Sequence, residues 1–329
     1  MDSRSLGSIG SVSEVGYGSW ELGSAWGDVS DAEAQRAVEA ALDAGIDFFD
    51  TADVYGDGRS ERVLGEALAS PIENNAVTVA TKAGRRLDPH EADGYTLDNL
   101  RRFVDRSREN LGVETLDLLQ LHCPPTDVYY QPSVFDGLET LHEEDRIDAY
   151  GVSVERVEEG LKAITYPGVE SVQIIFNPFR QRPADLFFRE AAARDVGVIV
   201  RVPLASGLLT GTLSRADTFP EDDHRNFNRN GEAFDVGETF AGVPFEAGLD
   251  AVDALQEQAV PDEMSTAAFT LRWILDHDAV STVIPGSSTP EHIRANAAAS
   301  DLDPLDESTH DAVTEVYDAH VREHVHHRW

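Results

Sequence analysis

Apolar residues along this chain follow two patterns. Short β-branched or leucine-rich runs, at Val77 to Lys82, Leu116 to His122, Ile147 to Ser153, Val172 to Phe176, Val198 to Val202 and Val280 to Ile284, show no polar face, as strands buried on both sides require. Two earlier runs read the same way: Val15 to Leu22, and the run that follows Gly45 and ends at Asp50. Between the runs apolar residues return every third or fourth position, as Ala34, Val38, Ala41 and Leu42 do after Asp31. This spacing predicts further helices over Ser60–Ala69, Leu97–Leu111, Val134–Glu144, Val157–Ile164, Ala184–Arg194, Thr266–Asp276 and Glu291–Ala299. Eight strand–helix units in alternation predict an α/β chain folded as one closed (β/α)8 TIM barrel domain over residues 1–329.

Three segments leave the repeat. The Ser- and Gly-rich residues 1–14 read as a short cap or hairpin over one end of the barrel. Pro203 to Pro244, a long loop after the seventh strand, is rich in Gly, Asp, Asn and Arg with little apolar periodicity, and reads as a lid. Leu305 to Val325 is an extra C-terminal helix; the histidines that follow it, His326 and His327, together with His324, read as ordinary surface histidines at a fraying end, with no metal site.

Composition narrows the partners. A formal net charge of −35, from 61 acidic against 26 basic residues, repels phosphate backbones and argues against a nucleic-acid partner. Acid excess with only two lysines, Lys82 and Lys162, resembles the cytosolic proteins of extreme halophiles. The single cysteine, Cys123, permits no internal disulfide. No apolar stretch approaches the ~20 residues of a membrane helix, so a soluble cytoplasmic protein is expected. Cys123 directly follows His122 and is expected on the opposite strand face, as a buried small hydrophobe.

The chemistry gathers at strand ends. Phe48-Phe49-Asp50-Thr51-Ala52-Asp53-Val54-Tyr55-Gly56 ends an apolar run in an acid and places a tyrosine just beyond it; two other runs end in Lys82 and His122. The carboxyl ends of strands are where α/β folds bind ligands. A lysine kept where lysine is otherwise depleted suggests a group whose pKa must shift. Asp50, Tyr55, Lys82 and His122, in this order, resemble the catalytic tetrad of the aldo-keto reductase superfamily, and the likeness runs from Gly16-Tyr17-Gly18-Ser19-Trp20 to Val283-Ile284-Pro285-Gly286-Ser287-Ser288.

That resemblance implies nicotinamide-dependent reduction of an aldehyde, ketone or sugar, a small-molecule carbonyl, or oxidation of the alcohol. It gives Tyr55 as general acid/base, Lys82 as the ammonium favouring phenolate, Asp50 as its counter-ion and ribose contact, and His122 as the group that orients the carbonyl. Trp20, Tyr55 and His122 would meet the substrate, and the loop with Trp20 and Trp26 lines the pocket. NADPH, with NADH as a possible alternative, would be held by Ser19, Trp20, Ser153 and Gln173, by the turn with Pro203, Leu204 and Ser206, and by Gly286, Ser287, Ser288, His292 and Asn296 at a helix N-terminus.

The sequence departs from the family at three places: Val154 replaces an asparagine, Arg201 replaces the tyrosine that stacks on the nicotinamide, and Gly286 and His292 replace 2′-phosphate cations, so weak discrimination between NADPH and NADH is expected. No Gly-x-Gly-x-x-Gly follows the first strand, so a Rossmann site has no support. Two other readings of the same residues are a Schiff-base lysine aldolase on a TIM barrel and a non-catalytic regulatory barrel subunit. The acidity itself is testable: if salt screens self-repulsion, the melting temperature rises along a KCl series from below ~0.1 M. A melting temperature indifferent to KCl would assign the acidity another cause.

Overall fold

The computed structural model describes residues 1–23 and 29–329, so Trp26 lies outside the described residues. Eight parallel strands form one curled sheet: β1 Tyr17–Gly18, β2 Phe48–Asp50, β3 Thr78–Ala83, β4 Leu116–His122, β5 Ile147–Ser153, β6 Val169–Ile175, β7 Gly197–Arg201 and β8 Val280–Val283. Neighbours in sequence are neighbours in the sheet, and parallel bridges Val15↔Val283 and Gly18↔Gly286 close it into a barrel. The expected strands β4 and β5 match residue for residue; β6 begins at Val169, three positions before the expected Val172.

Helices α1 Asp31–Asp43, α2 Arg59–Ala67, α3 Leu97–Leu111, α4 Pro132–Glu143, α5 Val157–Ala163, α6 Phe187–Ala192, α7 Thr266–Leu275 and α8 Pro290–Ala297 follow the strands. Their boundaries have local causes. Ser30 and Glu33 form a reciprocal capping box that starts α1, and Gly112, left-handed at φ 72°, ends α3. A further helix, Phe245–Gln258, lies in a stretch without a sequence assignment; its Leu249, Val252 and Leu255 are buried at helical spacing, and it packs on the C-terminal helix Glu307–His320.

Strand periodicity sorts the core into two parts. Phe48, Ala80, Leu118, Ala149 and Ile199 face the barrel interior and pack with Leu6 and Val12 of the N-terminal hairpin, Ser3–Ser5 paired with Ser11–Ser13, which plugs the floor. The alternate residues, among them Phe49, Val79, Leu119, Val152 and Val198, face the helices. Two residues beyond the apolar floor, on the same interior face, stand Asp50, Lys82, Gln120 and Arg201.

The chain's end does not fray. Trp329 is 3% exposed: its ring lies 3.8 Å from the Arg180 guanidinium, and its indole Nε1 donates to Asp235 in the segment between β7 and β8 at 3.0 Å. His326 is likewise held, within 3.0 Å of the Tyr317 hydroxyl. Among the described residues no helix is long and apolar enough to cross a membrane.

Candidate active site

The four strand-end groups come together because register aligns them. Asp50 pairs with Ala80 on β3, Lys82 with Gln120 on β4, His122 with Ser153 on β5 and Ser153 with Gln173 on β6. Lys82 Nζ is ion-paired with Asp50 Oδ1, donates to the Thr51 carbonyl at 2.8 Å and reaches the Tyr55 hydroxyl at 3.5 Å. The other Asp50 oxygen accepts from Gln173 Nε2 at 2.7 Å and Gln120 Nε2 at 3.2 Å. Both ions are buried, so this satisfaction of their remaining valences is what lets the pair persist inside the barrel. The Tyr55 and His122 rings meet edge to face at 5.9 Å.

The protonation states follow from burial and charge. Burial pulls the Lys82 ammonium down, but Asp50 and Tyr55 together lift its pKa above the ordinary lysine value. For Tyr55 burial is the largest influence and raises the phenol above its usual value; Lys82 opposes this without overcoming it. The ammonium therefore favours phenolate, as the sequence suggested, yet the resting group is a phenol. His122 is held well below its ordinary value by burial, then by the Arg85, Lys82 and Arg201 charges, so its imidazole is neutral.

Tyr55 and His122 open on a cavity of about 1260 Å³ that extends to the N-terminus of α8. Of the residues expected to hold cofactor, Ser19, Trp20, Asp50, Gln173, Arg201, Pro203, Leu204, Ser206, Gly286, Ser287, His292 and Asn296 line it; Ser153 and Ser288 do not. Lys82 lies beneath the wall and does not line it either. Ser153 is turned to Gln173 Oε1 and Cys123 Sγ, each at 3.5 Å.

At the end of β7 the backbone is strained, with Val202, Ala205 and Ser206 all at positive φ, a region that costs L-residues roughly 1–3 kcal/mol each. Within this turn the Ala205 and Gly207 N–H groups donate to the Val202 and Leu204 carbonyls. Ser206 Oγ donates to the Glu238 carbonyl at 3.2 Å and accepts from Phe240 N at 3.1 Å. His224 and Phe234 of the same segment pack against Trp20, tilted and edge-on, at 4.8 and 6.1 Å between ring centroids. The segment expected as a lid thus lies folded over one side of the cavity.

Arg85, Glu155, Glu238 and Glu21 escaped the sequence reading. Arg85, on the loop after β3, pairs with Glu238 at 2.5 Å and Glu155 at 3.5 Å; Arg201 pairs with Glu238 at 3.5 Å. Although burial pushes the Glu238 carboxyl up, the Arg85 and Arg201 charges hold it at about 2, while burial and the neighbouring Asp235 and Glu238 raise Glu155 to about 7. Cys123 departs from expectation: β4 stops at His122, Cys123 takes φ 45°, and its thiol lines the cavity 3.5 Å from Arg201 Nη2. Glu21 accepts from the Ser288 N–H at 2.7 Å, and Thr289 N–H is bound by Ser287 Oγ, so two α8-terminal donors already have acceptors.

Residues 14–318 match the Aldo/keto reductase family over the stretch that carries this geometry. The chain belongs to that family. This aldo/keto reductase is accordingly a nicotinamide-dependent oxidoreductase. It is 24% identical to the aldo-keto reductase yakc of Schizosaccharomyces pombe, named for NADP(+), over 88% of this chain and 84% of that one. It is 25% identical to an NADH-specific methylglyoxal reductase of Escherichia coli, over 90% of this chain and 92% of that one. Its fold superposes on the glycerol dehydrogenase of Gluconobacter oxydans with a TM-score of 0.77, at 28% identity over 97% and 96% of the two chains.

The turn between Asp50 and Tyr55 carries a further buried acid. This residue, Asp53, is fully buried with no hydrogen-bond partner for either carboxylate oxygen among the described residues. Burial, with Glu61 nearby, pushes it up to about 7 despite Arg86 and Arg106. Because the folded value exceeds the unfolded one, the stability this proton gives is present at acid pH and lost as pH rises from about 4 through about 7. Asp53→Asn should therefore gain on the wild type as pH rises, by up to roughly 4 kcal/mol at pH 8. Urea midpoints at pH 5 and pH 8 measure this, and an equal difference at both would mean the native carboxyl is charged throughout.

Proposed function

We propose that one barrel domain spanning residues 1–329 reduces a small aldehyde, ketone or sugar carbonyl with NADPH, with Tyr55 as general acid. The observation that carries this reading is the Tyr55 hydroxyl, 3.5 Å from the buried Lys82 ammonium and facing the cavity beside a neutral His122. A phenol resting in its protonated state can donate to a carbonyl oxygen that gains charge, and Lys82 stabilises the phenolate left behind. Asp50 keeps Lys82 charged and placed, and His122 orients the oxygen. The cavity suits a dinucleotide as well as a small carbonyl, since it is larger than the roughly 300–1,000 Å³ usual for small-molecule sites and joins Gln173 and Arg201 at one end to a helix N-terminus at the other. When bound, the nicotinamide supplies the hydride.

The aldolase reading loses ground because Schiff-base chemistry needs a neutral, accessible amine. Lys82 is instead an ion-paired ammonium behind the cavity wall. The acidic surface and lone free thiol support a reducing, salt-rich cytoplasm as its setting, in the manner of a halophile's enzyme.

Cofactor choice turns on Glu21, which stands as an acceptor at the N-terminus of α8, close enough for its charge to be felt by His292 and Arg225. A carboxylate there competes with a 2′-phosphate and accepts from ribose hydroxyls. Arg294 is exposed and off the cavity, whereas Arg225 lines it, paired with Asp223 at 2.6 Å. Relatives named for NADP(+) and for NADH both occur.

Tyr55→Phe should cut carbonyl reduction by about 10² to 10⁴-fold and leave cofactor affinity, read by nicotinamide fluorescence, nearly unchanged. Turnover within a few-fold of wild type would remove Tyr55 as the acid. The two cofactors should differ in kcat/KM by about tenfold at most, and His292→Arg should move the ratio toward NADPH. A wild-type preference of about a thousandfold would make Arg225 the 2′-phosphate partner.

A further inference from the structure

The carbonyl end of the cavity contains a charge cluster that the tetrad does not use. Arg85 and Arg201, from the ends of β3 and β7, converge on the single carboxylate of Glu238, which arrives from the segment between β7 and β8. One Glu238 oxygen lies 2.5 Å from Arg85 Nη2 and 3.5 Å from Arg201 Nη1, and the other 3.4 Å from Arg85 Nη1. This is the forked arrangement in which guanidinium groups recognise a planar carboxylate. Arg201 is 8% exposed, and its buried Nε has no acceptor among the described residues.

The seat adjoins the reacting atoms. All three side chains line the same cavity as Tyr55 and His122. Arg85 is the foremost charge acting on His122, and Tyr55 feels both Glu238 and Arg85. Glu155, 3.5 Å from Arg85, completes a set of two cations and two acids. The set is balanced when Glu155 is ionised. Cys123 Sγ, Glu155 and Glu238 lie within 4.8 Å of one another, but the two guanidinium groups already supply the positive charge that a metal ion would bring.

We propose that Glu238 is a specificity-determining residue, an internal carboxylate occupying the anion seat of Arg85 and Arg201, so that the enzyme takes uncharged carbonyl compounds and refuses 2-oxo carboxylates. This rests on the carbonyl-reductase reading above. A carboxylate attached to the reacting carbon would enter beside Glu238 and leave an unbalanced negative charge in a buried site, the arrangement by which like charges reject a wrong ligand. With Glu238 neutral the set carries one surplus positive charge, which a substrate carboxylate balances.

The test uses two methyl ketones of matched size, hydroxyacetone and pyruvate, with the full chain and saturating NADPH at pH 8, where Glu155 is ionised. The wild type should reduce hydroxyacetone and use pyruvate poorly. Glu238→Gln should shift the ratio of kcat/KM toward pyruvate by about tenfold or more, while Glu238→Asp keeps the wild-type ratio. Pyruvate reduced by the wild type as readily as hydroxyacetone, or a ratio unmoved in a Glu238→Gln protein with a cooperative melt, overturns the proposal. If Glu238→Gln does not fold, oxamate decides on the wild type alone. Inhibition constants well above the KM for hydroxyacetone support the assignment, and tighter inhibition overturns it. Failure to reduce any neutral carbonyl would instead count against the reductase reading, which separates the two.

Discussion

A single buried ion pair, Lys82 with Asp50, is what the working end of this barrel is arranged around. Two charges taken out of water cost several kcal/mol each, and their attraction offsets this only when every remaining donor and acceptor is answered. Here Thr51 and Tyr55 beyond β2, Gln120 on β4 and Gln173 on β6 supply those answers from three strands. The alternation of each strand provides the places: the same step that puts Phe48, Ala80 and Leu118 in the apolar floor puts Asp50, Lys82 and Gln120 one layer higher. Fold and chemistry are thus one periodicity read at two heights.

Around this pair the electrostatics are graded. The ammonium cannot by itself make Tyr55 a phenolate, because burial acts more strongly on the phenol than Lys82 does. An acid that rests protonated is the form a reductive half-reaction needs. His122, under the charges of Arg85, Lys82 and Arg201, is kept from taking a second proton, so its imidazole adds no further charge to the site.

The barrel and the meeting of Asp50, Tyr55, Lys82 and His122 were legible because both depend on local pattern. Leu116–His122 announces a strand and its terminal histidine in one run, and the regular alternation of runs and helical stretches counts out eight units. What stayed hidden depends on distant packing. Glu238 belongs to a segment without periodicity, and only the fold brings it to Arg85, more than a hundred residues earlier. Cys123 was misplaced because strand alternation stops where φ turns positive, and nothing in His-Cys-Pro-Pro states which residue makes that turn. The helix Phe245–Gln258 was different: Leu249, Val252 and Leu255 carry an ordinary helical signal that the adjoining irregular segment obscured. Glu21 follows Trp20 without a motif of its own, and its meeting with Ser288 exists only because β1 closes the barrel against β8.

The hairpin under the barrel ties together segments far apart in the chain. Leu6 and Val12 fill the floor, and the Arg4 guanidinium donates to the carbonyls of Leu275, His277 and Val280, at the far end of the chain. The seat of the hairpin is therefore complete only when segments from β2 through β8 have come together. Contacts of such long sequence separation are slow to form. The barrel is thus stoppered by a segment that answers to both halves of its own sheet, so loosening either half unseats the plug.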